Sequence, residues 1–199
     1  MSERTWCICC PGHSLSLFET HARIRRLDPD VLVAVNGAVI AGFLFDYWVI
    51  QDIEVIEEMC SRWPQETHKK DTTVFFPDRW HIDIPRYFPQ LQSFFYEFIH
   101  KPFPSQTNVE FNETMPFGRE INWRECTMFM AIALAIKERA ELIYLFGADL
   151  SGKGYYIKGI ENGRTRHTEG RWKDEAVKLA IITEECNRQG IKIIKESVR

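Results

Sequence analysis

The fold of this chain is indicated most clearly by two stretches, WCICCPGHSL at residues 6–15 and LIYLFGADL at residues 142–150. Each is an apolar run that ends abruptly in glycine with small polar or acidic residues around it. Buried parallel strands have this continuous apolar character because helices cover both faces of their sheet. Ligands of such sheets bind in the crevice at the carboxyl ends of the strands. The two stretches therefore predict strands that deliver backbone to a ligand site.

The rest of the chain alternates segments typical of strands with segments typical of helices. Strands are predicted at residues 5–10, 31–35, 47–50, 72–76, 142–146 and 191–194, and helices at about 53–62, 126–136 and 171–188. A further helix is expected after the first strand, with Ser14 or Ser16 as its N-terminal cap. This alternation predicts an α/β, Rossmann-like doubly wound sheet, mostly parallel, with helices on both faces.

Length and composition indicate one domain over residues 1–199, since 199 residues with 45% hydrophobic content suffice for a closed core. Residues 78–118 differ from the rest because prolines and aromatic residues are dense there. Long regular elements are not expected in such a segment. We expect an irregular insertion that covers one side of the crevice, because long loops in compact domains are usually functional.

The charge balance and hydropathy exclude several classes of protein. A formal net charge of -3 gives no overall basic field, so duplex nucleic acid is not an expected partner. No apolar run approaches the roughly 18 residues that span a bilayer, and the N-terminus lacks the pattern of a secretion signal. We expect a cytoplasmic protein without a transmembrane segment, and the sequence leaves homo-oligomerisation open.

The six cysteines do not form the spaced pairs that bind zinc. Cys7, Cys9 and Cys10 lie on an apolar run, while Cys60, Cys126 and Cys186 stand alone. In a cytoplasmic chain this pattern favours reduced, buried thiols that pack as small hydrophobic groups. No bound metal and no prosthetic group are expected.

The loop after the first strand is a candidate nucleotide or phosphate site. Gly12 permits close backbone approach, while His13 and Ser14 lead into a helix whose first N–H groups favour an anion. The spacing matches neither the dinucleotide fingerprint nor the Walker loop, so a plain structural turn is the alternative. Asn36 and Asp52 end the next two strands and should line the same edge, where an amide can both donate and accept hydrogen bonds.

Two later segments add candidate residues. Gly147 and Asp149 open a loop that continues to Tyr155 and Tyr156, whose hydroxyls can bind a phosphate if packing holds the rings. The alternative is that both tyrosines only pack against the protein. A cationic run lies before the last long helix. It offers three possible phosphate ligands, Arg164, Arg166 and Arg171. It also offers His167 for proton transfer and the acid Glu169.

These motifs resemble the Rossmann-like bacterial sialyltransferases that use CMP-sialic acid, and their relatives of the hydroxymethylpterin pyrophosphokinase (MptE-like) type. Members open with a strand that runs into G-x-G-P-S-L, to which CPGHSL at residues 10–15 is similar, although the first glycine and the proline are missing. Their strand ending in asparagine resembles VAVN at 33–36. Their A-x-A-L helix and I-Y-L-x-G-x-D strand resemble residues 131–134 and 143–149.

The resemblance implies a metal-free glycosyltransferase with a nucleotide-sugar donor, CMP-linked by preference, and a hydroxyl acceptor. Tyr155 and Tyr156 are the available counterparts of the family's phosphate-binding tyrosines. His167 lies near the family's catalytic histidine, while the best register places Glu169 there.

Two alternatives stay open. One is ATP-dependent pyrophosphoryl transfer, in which Asp52, Asp149 and Glu120 would hold magnesium. The other is a nucleotide-binding module without catalysis.

Overall fold

The computed structural model describes residues 4–20, 27–51, 58–59, 61–62, 72–76, 99–102, 126–150 and 169–197. The strands in these ranges are β1 Thr5–Cys9, β2 Val31–Val35, β3 Tyr47–Val49, β4 Thr73–Phe76, β5 Ile99–Pro102, β6 Leu142–Phe146 and β7 Lys192–Lys195. The α-helices are α1 Thr127–Lys137 and α2 Glu169–Arg188, and 3-10 helices cover His13–Ser16 and Asn36–Ala41. None of these described helices is long and apolar enough to cross a membrane.

The described strands form a seven-stranded sheet in the order β5-β4-β3-β2-β1-β6-β7. Every neighbouring pair is parallel, with Trp6 opposite Val31 on one side of β1 and opposite Ile143 on the other. β1 therefore lies inside the sheet, where helices must cover it on both faces. The α/β Rossmann-like architecture predicted from the sequence is confirmed.

Two apolar clusters cover the two faces of the sheet. Because side chains alternate along a strand, Trp6 and Ile8 of β1 pack into a cluster with α1 and α2, while Cys7 and Cys9 face the opposite cluster. Residues of the first loop and of the Asn36–Ala41 helix belong to the second cluster. Helix α1 is buried from Thr127 to Ile136, in agreement with its continuously apolar sequence.

The predicted strands agree with the observed strands to within one residue at each end. Helix α2 begins two residues earlier than predicted, at Glu169. Of the helix predicted at 53–62, residues 58–59 and 61–62 are described, and they are helical.

Strand β5 lies inside the segment for which the sequence predicted only irregular structure. It pairs in parallel with β4, with Thr73 opposite Ile99 and Phe76 opposite Pro102. In the described sheet β5 has one neighbour, so it is an edge strand, the position at which a sheet tolerates proline. Its sequence, Ile-His-Lys-Pro, has no apolar run, so the pattern that identified the other strands is missing.

The serines after β1 do not cap a helix as predicted. The first helical turn, His13–Ser16, is a 3-10 helix whose N-cap is Gly12, and it has no side-chain capping bond. Ser14 is fully buried, and its hydroxyl accepts a hydrogen bond from a distant strand end instead. Residues 17–20 continue the helix beyond this turn.

Five of the cysteines lie in the described part of the chain, and all five are free thiols. Cys7, Cys9, Cys10 and Cys186 are buried, which confirms the prediction that they pack as small hydrophobic groups. Cys126 is partly exposed. Cys60 lies outside the described residues.

Candidate functional site

The strand order places a topological switch point beside β1. The chain adds β2, β3, β4 and β5 successively on one side of β1 and then returns to add β6 and β7 on the other side. In open α/β sheets, ligands bind at this point of reversal, outside the carboxyl ends of the strands. Here that point lies between β1 and β6, where the loops that begin at Cys10 and Gly147 leave the sheet.

The two loops touch each other through their backbones. The Cys10 amide donates to the Phe146 carbonyl at 2.7 Å, and the Gly12 amide donates to the Gly147 carbonyl at 2.9 Å. A Cβ atom at Gly12 would overlap the Gly147 carbonyl, and a Cβ at Gly147 would overlap the Cys10 carbonyl. Gly147 also has φ +68, which side chains other than glycine rarely adopt. Glycine is therefore required at both positions by close packing of backbone on backbone.

Ser14 joins the two loops a second time. Its buried hydroxyl accepts a hydrogen bond from the Gly147 amide at 3.0 Å, and its own amide donates to Asp149 Oδ2 at 2.8 Å. The sequence suggested that amides of this turn would be unpaired and would attract an anion. The Ser14 amide is instead used within the protein, because the Asp149 carboxylate already takes that position.

Asn36 lies at the carboxyl end of β2, as predicted, and adopts φ 48 in the left-handed region. Asparagine tolerates this conformation better than most residues do. Its side-chain Nδ2 donates to Thr127 Oγ1 at 3.2 Å, while its carbonyl accepts from Trp48 Nε1 at 3.0 Å. The first contact ties the end of β2 to the start of α1, and the second ties it to β3.

Leu150 has φ 49, a conformation that is uncommon for a leucine. It follows Asp149 directly, at the end of the described part of the loop after β6. Together with Asn36 and Gly147, it is the third residue of this edge with a positive φ. Strained backbone of this kind is often found at ligand sites.

The N-terminal end of α1 lies at the same edge as the strand ends. Helix α1 precedes β6. Glu138, which follows the last residue of α1, lies at the opposite edge, where its carbonyl accepts a hydrogen bond from the Arg4 side chain. Cys126 precedes the helix, and the pKa of its thiol is raised to about 12, chiefly by burial and also by the charge of Glu175, while Arg171 opposes the rise. Burial also raises the pKa of Cys10, to which the nearby Cys126 and Asp149 contribute.

An ion pair stands at the start of α2. Arg171 Nε donates to Glu175 Oε1 at 2.8 Å, one helical turn apart. The Glu175 side chain is 4% exposed and the Arg171 side chain 37% exposed. Both charges influence the pKa of the Cys126 thiol, since Glu175 raises it and Arg171 lowers it.

The structure thus places seven of the predicted site residues in described segments that end at this edge: Gly12, His13, Ser14, Asn36, Gly147, Asp149 and Arg171. His13 is exposed, whereas Gly12, Ser14 and Gly147 are buried. Seven other residues named from the sequence lie outside the described part: Asp52, Glu120, Tyr155, Tyr156, Arg164, Arg166 and His167. Glu169 is the first residue of α2.

Three residues of this edge were missed by the sequence analysis: Cys126, Thr127 and Glu175. The sequence predicted Thr127 to lie in an apolar helix and Cys126 to begin that helix as a buried thiol, and it indicated no site role for either residue. The spacing of Arg171 and Glu175, four positions apart on a helix, was a usable signal for an ion pair. We call this set of residues the carboxyl rim. Its members are Gly12, Ser14, Asn36, Cys126, Thr127, Gly147, Asp149, Arg171 and Glu175.

No family model and no curated protein matches the sequence. Two similar solved structures are of the sialyltransferase CstII from Campylobacter jejuni. The first, in complex with the substrate analogue CMP-3FNeuAc, has a TM-score of 0.55 at 14% identity and covers 96% of this chain and 80% of that chain. The second, with cytidine-5'-monophosphate, has a TM-score of 0.44 at 13% identity and covers 96% and 79% of the two chains. The chain has a sialyltransferase-like fold.

Proposed function

We propose that this protein is a transferase that binds a nucleotide-activated sugar, CMP-linked by preference, along the carboxyl rim. The observation that carries the proposal is the convergence of the loops after β1 and β6 at the switch point of a parallel sheet. The likeness in fold to a protein solved with CMP-3FNeuAc supports the choice of donor.

The rim offers different chemistry at its two ends. Near Gly12, the Asp149 carboxylate would repel a phosphate but would accept hydrogen bonds from ribose hydroxyls, the use of an acidic residue in other dinucleotide sites. Near the starts of α1 and α2, Arg171 supplies a positive charge. We therefore orient the nucleoside toward Gly12 and Asn36 and the phosphate toward Arg171.

The chemical step in this proposal transfers the sugar from the phosphate to an acceptor hydroxyl. The C–O bond between the sugar and the phosphate breaks, the phosphate leaves on CMP, and the acceptor oxygen forms the new bond to the sugar. A base takes the hydroxyl proton, and we assign that role to His167, with Glu169 as the alternative. Tyr155, Tyr156 and Arg166 would stabilise the departing phosphate together with Arg171, while Asp52 would line the nucleoside end.

The test is a thermal-shift panel of CMP, CMP-sialic acid, UDP-sugars and ATP, each with and without EDTA. A ligand at one hundred times its dissociation constant stabilises by about 2.7 kcal/mol, which raises Tm by roughly 5–10 °C for a chain of this size. We expect this shift with the CMP compounds, independent of EDTA. Indifference to every nucleotide would refute the proposal.

A second measurement separates transfer from binding alone. CMP release from CMP-sialic acid is measured for the wild type and for His167→Ala and Glu169→Ala. Loss of release in one variant, with CMP binding retained, identifies the base. Tight CMP binding with no release in the wild type would instead indicate a nucleotide-binding module.

A further inference from the structure

A groove lies between helix α2 and strand β7, and none of the residues of the carboxyl rim lines it. Its volume is about 410 Å³, and it runs along α2 from Ala176 to Asn187, about 16 Å at the rise of an α-helix. The apolar residues among its described lining are Leu150, Ala176, Leu179, Ala180 and Ile193. Walls of this kind suit the apolar part of a ligand.

One end of the groove meets the carboxyl rim. Strand β7 is parallel to β6, with Lys195 opposite Leu145, so Lys195 lies at the carboxyl edge of the sheet. Helix α2 ends just before β7 begins and runs in the opposite direction, so Ala176 lies toward the same edge. Leu150 directly follows Asp149 of the rim. The rim and the groove are therefore continuous at Leu150.

The groove has a cation at its rim end. Lys195 lines the groove and is exposed, and it forms no ion pair with any residue in the described ranges. Glu184 also lines the groove, but its carboxylate is paired with Arg188 at 2.5 Å. The charge that the groove offers to a ligand is therefore positive, and it attracts an anionic group.

The edge of the sheet beside the groove opposes the addition of another strand. In the described sheet β7 has one neighbour, and it begins and ends with exposed lysines, Lys192 and Lys195. Charged side chains, lysine above all, keep an edge strand from pairing with a strand of another chain. The occupant indicated by this edge is a small molecule and not a peptide strand.

We infer that the groove binds the apolar tail of an anionic amphiphile, whose charged head group lies at Lys195. Because the groove opens on the carboxyl rim, we assign this amphiphile as the acceptor, with its hydroxyl at the rim and its tail along α2. The binding site rests on the groove alone, whereas the role of the ligand as acceptor rests on the proposed function.

Decyl phosphate is the probe for this site, and its affinity for the full chain is measured by calorimetry below the concentration at which it forms micelles. Inorganic phosphate is the control for the head group. We expect decyl phosphate to bind at least about tenfold more tightly than inorganic phosphate, because its tail is buried in the groove. CMP should not displace it, since the two ligands occupy adjacent sites.

Two variants test the two parts of the ligand. Lys195→Gln removes the charge and should weaken decyl phosphate about tenfold, whereas Lys192→Gln, on the same strand but outside the groove, should leave the affinity unchanged. Ala180→Leu fills the groove and should also weaken decyl phosphate about tenfold. Val177→Leu is its control, because Val177 is exposed on α2 and does not line the groove. Leucine is a good helix former, so both helix variants should fold.

The inference is overturned if decyl phosphate does not bind, if it binds no more tightly than inorganic phosphate, or if Lys192→Gln and Lys195→Gln have equal effects. Displacement of the probe by CMP would overturn it as well, since it would place the probe in the nucleotide site. So would a concentration-dependent dimer that decyl phosphate dissociates, because a second copy of the chain would then occupy the groove. If decyl phosphate binds as expected but CMP does not, the binding site is supported, and the proposed function and the acceptor role are refuted.

Discussion

The hydroxyl of Ser14 accepts a hydrogen bond from the amide of Gly147 at 3.0 Å, across 133 positions of sequence. Together with the bond from the Ser14 amide to Asp149, it fixes the loop after β1 against the loop after β6. The two loops at the switch point therefore hold each other in place before any ligand binds.

Replacing Ser14 with alanine should lower stability by about 1–3 kcal/mol, because the buried Gly147 amide loses its acceptor. Ser16→Ala is the matched control, since the Ser16 hydroxyl donates to the His13 carbonyl in an exposed setting. That variant should change stability by less than about 0.5 kcal/mol. Urea unfolding of both variants is the measurement, and equal effects would show that the link between the loops is unimportant.

Alanine at Gly147 should destabilise more than alanine at Gly190. Both glycines have a positive φ, +68 and +80, so both substitutions carry a backbone penalty of about 1 kcal/mol. A Cβ at Gly190 meets nothing within 4 Å, whereas a Cβ at Gly147 meets the Cys10 backbone. The overlap should add roughly 1–3 kcal/mol in Gly147→Ala. Similar unfolding midpoints for the two variants would contradict the close approach of the loops.

Replacing Asn36 with glycine separates its backbone role from its side-chain role. Glycine adopts φ 48 without strain, which offsets the lost bond to Thr127, so stability should stay within about 1 kcal/mol. We expect CMP affinity to fall about tenfold or more, because the amide is missing. Thr127→Ser is the control: it keeps the hydroxyl that holds the amide, and its CMP affinity should be that of the wild type. Unchanged affinity in Asn36→Gly would remove Asn36 from the site.

Stability should fall at alkaline pH because burial raises the pKa of Cys7, Cys126 and Cys186 from 9.0 to about 12. Above pH 9 the unfolded chain releases these protons and the folded chain retains them. Rising pH therefore stabilises the unfolded state relative to the folded state. Between pH 9 and 12 the free energy of unfolding should drop by up to about 1.4 kcal/mol per pH unit for each such thiol. Urea unfolding under reducing conditions at pH 7, 9 and 10 measures the slope.

Cys186→Ala is the control for this prediction. It removes one of the thiols whose pKa burial raises and should reduce the slope above pH 9, whatever it does to stability at pH 7. An identical slope in the variant and the wild type would show that burial does not hold the Cys186 proton.

The central strands were predictable because their apolar runs are continuous and each ends at a glycine or a polar residue. β6 is the clearest example, since both of its ends, Leu142 and Phe146, were predicted correctly. β5 was not predictable, because an edge strand does not need an apolar run and Ile99–Pro102 has none. The local hydrophobic pattern of a sequence therefore identifies buried strands and helices. It misses a strand that is held only by backbone pairing with its neighbour.

The site was predictable in part for the same reason. Gly12 and Gly147 were found because close backbone approach requires glycine, which is visible in the sequence. The contact of Asp149 with the Ser14 amide was not foreseen, since the pairing of two loops more than a hundred residues apart follows from strand order. The burial of Glu175 was likewise not foreseen, since it depends on how α2 packs in the fold and not on local sequence.

Hydrogen–deuterium exchange of the full chain, measured with and without CMP, reports where on the protein a nucleotide binds. We predict slower exchange at residues 10–15, 36–38 and 147–150, with no change at the opposite edge of the sheet, residues 138–141. CMP binding that leaves the carboxyl rim unprotected, or that protects the opposite edge instead, would contradict the account.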